Sequence, residues 1–195
     1  MKKLSLIIAA VFVFGLTNVT IAKDNKEDQH NVRLRIDEIT LLDIEDGSGR
    51  SVKDFIFEIT PGDLVSEAGA AFNSTIELKD RNNRKAYLQY TALVASKKYV
   101  KAEISSGSLP NGFSLNLKVD EAKGGKGKVG KEKNKFEKLT KSGVEVISNI
   151  GTSYTGNGGS KGHKLDYQLE IEKNADISKL SSGSFDITVT YTITE

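Results

Sequence analysis

Between residues 32 and 193, apolar side chains return at every second position so often that little besides antiparallel sheet can satisfy the chain. Val32, Leu34 and Ile36 alternate with Arg33, Arg35 and Asp37, the spacing of a strand with one wet face. Residues 55–59 repeat the pattern and stop at Pro61-Gly62. Ile76 and Leu78 make a shorter case, followed by residues 87–94 and 99–104. Then come Phe113, Leu115, Leu117 and Val119, and after them Leu165, Tyr167, Leu169 and Ile171. The most regular run is the final one, where Phe185, Ile187, Val189, Tyr191 and Ile193 alternate with Asp186 and four threonines. Residues 144–150 fit either a short helix or a strand.

Turn residues punctuate these runs at 46–49, 80–84, 106–112 and 156–162. Many short strands without strand–helix alternation predict an all-β, antiparallel Greek-key β-sandwich, with a closed β-barrel as the alternative. One segment breaks the texture. Residues 123–141 hold eight Lys, two Glu and four Gly, which predicts a mobile Lys/Gly-rich loop near 123–135.

The first residues point to export. Lys2 and Lys3 precede an apolar run over residues 4–16, and Thr20-Ile21-Ala22 places small residues where a signal peptidase reads, so residues 1–22 are predicted to be a signal peptide. A single domain over residues 23–195 then remains, long enough to bury a core without disulfides, which a chain with no Cys cannot make. Of the 28 basic residues, Lys2 and Lys3 leave with the signal, and the rest balance the 26 acids. Such a balance does not suit a nucleic-acid binder, and the remaining sequence has no membrane span.

Catalytic chemistry finds few footholds. The two histidines, His30 and His163, are far apart in sequence, and thiols are absent. Residues 151–155 lack the second Gly of a nucleophile elbow. The Gly-rich run 156–162 lacks the Gly-Lys-Ser/Thr ending of a phosphate loop. Asp43, Glu45 and Asp46 gather oxygen donors at a glycine turn and are the one calcium candidate, a hairpin turn being the plainer explanation. Lys123, Lys126, Lys128 and Lys131 are candidate anion-binding residues, with an anionic cell-surface polymer or lipid surface as partner. Neither an enzyme nor a cofactor is expected.

Residues 147–158, Ile-Ser-Asn-Ile-Gly-Thr-Ser-Tyr-Thr-Gly-Asn-Gly, followed by Gly162-His163-Lys164-Leu165-Asp166-Tyr167, resemble a signature of secreted proteins of Gram-negative bacteria. The leading run 30–45 and the ending Thr188-Val189-Thr190-Tyr191 fit the same outline, which is similar to fimbrial and spore-coat-like subunits. The last run is also similar to the final strand of pilins, although Tyr191 lies fifth from the end rather than next to last. The resemblance implies an immunoglobulin-like or pilin-like sandwich in the periplasm, on the outer surface or outside the cell. A non-enzymatic structural or adhesive module follows, associating with copies of itself or other surface proteins by β-strand augmentation through Phe185, Ile187, Val189, Tyr191 and Ile193. The alternative is a monomeric secreted module that binds an anionic glycan or lipid surface.

Overall fold

A computed structural model describes residues 30–195. The signal-peptide reading of residues 1–22 falls outside them. The chain divides after Ile36. Of the first unit, the described residues 30–36 have no regular structure. The second unit holds ten strands: β1 (Ile39–Asp46), β2 (Thr75–Leu78), β3 (Ala86–Leu93), β4 (Lys98–Ser106), β5 (Phe113–Val119), β6 (Lys126–Glu132), β7 (Glu137–Lys138), β8 (Val144–Tyr154), β9 (His163–Ile171) and β10 (Thr188–Thr194). One helical turn, α1 (Pro61–Leu64), and one 3₁₀ turn (Ile177–Lys179) complete it.

All pairings are antiparallel, in the order β10-β4-β8-β3-β9-β5-β7. The sheet is open at both ends, so the closed-barrel alternative does not hold. It branches because long strands change partner along their length. Residues 144–150 of β8 pair with β4 and residues 153–154 with β3, while β6 runs along the opposite edge. In the same way β9 passes from β3 at residues 163–165 to β2 at residues 167–170, and β5 lies on its other side. β1 covers the remaining edge of β3.

Burial follows from this branching. Leu88, Val100, Ala102, Leu117, Ile147 and Ile150 are fully enclosed and form the centre of the core. Both faces of β3 are covered over residues 86–90, where the alternation predicts one wet face. The loop 156–162 lies on the outer face: Gln89 Nε2 donates to the Gly158 carbonyl at 3.0 Å and to Glu45 Oε2 at 3.0 Å.

Four expectations change. Residues 32–36 form no strand, and Val32, Leu34 and Ile36 remain 71%, 82% and 78% exposed. Residues 55–59 contribute only an isolated bridge from Phe57 to Asp80. There the Asp80 carboxylate accepts from the Ile56 N–H at 3.0 Å, taking the place of a ladder partner. The last strand begins at Thr188, leaving Phe185 in the preceding loop and half exposed.

The fourth change is the largest. The lysine-rich segment contains a strand, β6, over residues 126–132. Glycine makes this feasible. Gly125, Gly127 and Gly130 all have φ between 82° and 88°. A Cβ on Gly125 would stand 2.0 Å from the Tyr154 carbonyl oxygen, and one on Gly127 2.3 Å from that of Thr152. Any larger residue would push β6 off β8. Residues 144–150, open between helix and strand from sequence, are strand because both β8 edges find partners.

Candidate functional site

Five strands have a single neighbour: β1, β2, β6, β7 and β10. A strand with one free edge presents unpaired N–H and C=O groups to any chain that can reach them, and charged side chains are the usual guard. β1 carries Asp43, Glu45 and Asp46; β2 carries Glu77; β7 is Glu137-Lys138; β6 is lysine-rich and kinked by its glycines. β10 reads Thr-Val-Thr-Tyr-Thr-Ile-Thr, with no charge from Thr188 to Thr194. Among the described residues it is the one unguarded edge strand.

β10 is held firmly on its inner side. Its ladder with β4 runs from Thr188 to Thr194, with one bulge between Thr188 and Val189. Ile187, Val189, Tyr191 and Ile193 pack on the core, whereas Phe185 stands apart from it. The Tyr191 hydroxyl lies 2.6 Å from that of Tyr167 on β9, although β9 is four places away in the sheet order. Burial pushes the Tyr167 phenol up to about 12 and, with Tyr167 beside it, that of Tyr191 well above its ordinary value. Both rings therefore stay neutral and serve as hydrogen-bonding groups. On the other face, the Ser105 and Thr190 hydroxyls are 2.6 Å apart.

The end of β10 meets the entrance of β1 at one lysine. Lys98 Nζ is bridged by Glu195 and, at 3.1 Å, by Glu38. Glu38 also accepts from the Ala95 N–H at 2.7 Å. Hydrogen bonding to Glu195 raises the Lys98 pKa, and the same contact lowers that of Glu195. Sequence reading missed this clamp, because its three charges come from distant segments with no spacing to link them.

Lys123, Lys126, Lys128 and Lys131 are all exposed along or just before β6, and among the described residues none has a carboxylate in contact. The Lys128 stem lies along Gly151, where a Cβ would come within 3.1 Å of it. Asp43, Glu45 and Asp46 do not converge, since 43 and 45 share one face of β1 and 46 takes the other. The Asp46 carboxylate is already filled, accepting from the Ser48 hydroxyl at 2.5 Å, the Ser48 N–H at 2.8 Å and Arg50 Nε at 3.3 Å. Those bonds, the Ser48 hydroxyl first, hold its pKa well below the usual carboxylate range. Among the described residues no group of three or more His, Asp or Glu side chains is placed to hold a metal ion.

Asp80 and Arg84 repeat the Asp46–Arg50 arrangement. Asp80 accepts from Arg84 Nε and Nη2, both at 2.8 Å, and from the Asn82 N–H at 3.0 Å. A twice-used Asp-x-x-x-Arg turn was a signal present in the sequence and not read there.

His163, the other residue of the Gly-rich region that chemistry would use, is fully buried. Its Nδ1 is 2.9 Å from the Asp120 carbonyl and must donate to it. Its Nε2 is 3.2 Å from the Tyr90 hydroxyl, which also contacts the Val129 carbonyl of β6. The histidine thus joins β9, β3 and β6, and burial lowers its pKa. No described helix is long and apolar enough to cross a membrane. Comparison of the chain with protein-family models, with curated proteins and with solved structures finds no match.

Proposed function

We propose that this protein is an exported, non-catalytic structural or adhesive module, folded as a two-layered Greek-key sandwich, that associates through strand addition at the outer edge of β10. The observation that carries the reading is the missing charge on β10, set against four other single-neighbour strands that all have one. Main-chain groups along that edge offer affinity, and apolar side chains at alternate positions of an incoming strand extend the row of Val189, Tyr191 and Ile193. The two-layered reading is supported by the Tyr167–Tyr191 contact, which requires strands distant in the sheet order to face each other. Residues 32–36 supply a suitable incoming strand from another copy: three exposed apolar side chains at two-residue spacing, with charged residues between them.

Light scattering on residues 23–195 over a range of concentrations tests the reading. Self-association is expected, and Thr190→Lys should abolish it. The new lysine sits opposite Glu103 on β4, so the variant keeps its fold while its edge gains a guard. A wild-type protein that stays monomeric, or a Thr190→Lys variant that assembles as the wild type does, would refute the proposal.

A second reading has its own observation. Lysines 123, 126, 128 and 131, exposed and without a carboxylate in contact among the described residues, suit a polyanionic glycan or lipid surface. Binding of that kind fades as the Debye length falls from about 10 Å at 0.1 M salt to about 3 Å at 1 M. Substituting all four with Gln should abolish it.

A further inference from the structure

Away from β10 and β6, the turn between β2 and β3 overhangs the β5–β9 ladder and encloses a groove of about 390 Å³. That volume is at the small end of ligand-sized clefts. Most of its apolar lining is aromatic, from Phe55, Phe57, Phe136 and Tyr167, with Leu78, Ala86 and Leu165 completing it. The Phe57 and Tyr167 rings pack with centroids 5.6 Å apart at 53°, and the Arg84 guanidinium lies 5.2 Å above the Phe55 ring. These contacts fix the rings in place, so a flat ligand would meet a formed surface.

The charges sort into two kinds. Five cations and three acids line the groove. Arg84 is held by Asp80 at 2.8 Å, Lys118 by Asp120 at 3.0 Å and Lys164 by Asp166 at 2.7 Å. Lys79 and Lys85 are exposed and have no carboxylate in contact among the described residues. Two ammonium groups outside any ion pair therefore line the groove beside its aromatic floor, that of Lys79 also feeling the Asp63 carboxylate, with Glu77 and Asn83 adding hydrogen-bond acceptors.

We propose that this groove binds a short acidic saccharide, one whose sugar ring lies on the Phe57–Tyr167 surface and whose carboxylate meets Lys79 and Lys85. Aromatic faces take the C–H face of a sugar ring, lysines take the carboxylate, and Glu77 and Asn83 accept from ring hydroxyls. The acids in the lining decide against the other ligand that aromatic and cationic groups attract, a single-stranded nucleic acid. Glu77 and Asp166 repel phosphate and carboxylate alike, but a saccharide brings ring hydroxyls that donate to them, and a deoxyoligonucleotide brings far fewer. The groove touches β10 only through the Tyr167–Tyr191 hydroxyl pair beneath its floor, and it shares no residue with the lysine row of β6.

The test is calorimetric titration of residues 23–195 with trigalacturonate, its methyl ester and an oligothymidylate. Trigalacturonate should bind and the uncharged ester should bind about tenfold or more weakly. Lys79→Gln and Lys85→Gln should each weaken binding up to about fivefold, the range of an exposed ion pair. Both lysines are exposed, so the variants should melt as the wild type does, and Lys126→Gln should leave affinity unchanged. Four results overturn the proposal: no binding of trigalacturonate, equal binding of the ester, tighter binding of the oligothymidylate, or loss of affinity in Lys126→Gln but not in the groove variants.

Discussion

Replacing Gly125 with alanine separates a packed strand from a loop at the point where the two readings of the lysine-rich segment diverge. Two penalties are expected. The left-handed conformation, φ 82°, costs an L-residue about 1–2 kcal/mol. The added methyl would also meet the Tyr154 carbonyl oxygen at 2.0 Å and Thr155 Cα at 2.7 Å, both backbone atoms that cannot swing aside. Relieving an overpacked contact of that kind costs about 1–3 kcal/mol more. Gly158 supplies the control. Its φ is 94°, yet a Cβ there has nothing within 4 Å, so only the first penalty applies. Gly125→Ala should therefore lose about 2–5 kcal/mol and Gly158→Ala about 1–2 kcal/mol. Urea unfolding followed by circular dichroism measures both, and the slope should not change. Amide exchange at residues 126–132 reads any local peeling of β6 in the same samples. If the two variants are equally stable and β6 amides exchange equally fast in both, then β6 is not packed on β8 and the reasoning fails.

Acid should weaken the fold through His163. Its folded pKa lies below the ordinary histidine value of 6.5, so the unfolded chain binds the extra proton first and stability is lost as pH falls from about 6.5 toward the folded value. The slope cannot exceed about 1.4 kcal/mol per pH unit for one proton. NMR titration of the ring, with only His30 as the other signal, checks it, and an unshifted His163 would contradict its burial. Tyr167→Phe and Tyr191→Phe should each cost about 1 kcal/mol or more, and the double variant less than the sum, because each single change leaves a hydroxyl facing a ring edge. Strict additivity in chemical denaturation would mean that the two hydroxyls do not interact.

Much of the sheet was legible because two-residue spacing reports pairing directly wherever one face is buried. Residues 113–119 were read as a strand and β5 spans the same seven residues, since Leu115, Leu117 and Val119 all turn into the core. The same signal misled at residues 32–36, where the spacing describes a strand and the chain has no regular structure. It misled again at residues 55–59. There the inward side chains do their packing against Arg84 and Tyr167, and a carboxylate replaces the neighbouring strand. Composition hid β6, because Lys and Gly together look like solvated loop. What makes it a strand is the absence of a Cβ where two backbones nearly touch, a property of a partner strand that lies well beyond any local window. The groove lysines carried no local signature either. Lys79 and Lys85 matter by what stands across from them, and that is fixed by topology alone.

Lys98 has a mechanical consequence. Since Glu38 and Glu195 grip the same ammonium group, the residue before β1 and the residue after β10 lie side by side. Tension applied between these two points would break the bridges first and then strip β10 from β4 one rung at a time, a zipper that yields to little force. A load transmitted through a strand docked along β10 would instead pull lengthwise, straining every rung at once. On the proposed strand addition, such a fold is weak when pulled between Glu38 and Glu195 and strong when hauled through its β10 edge.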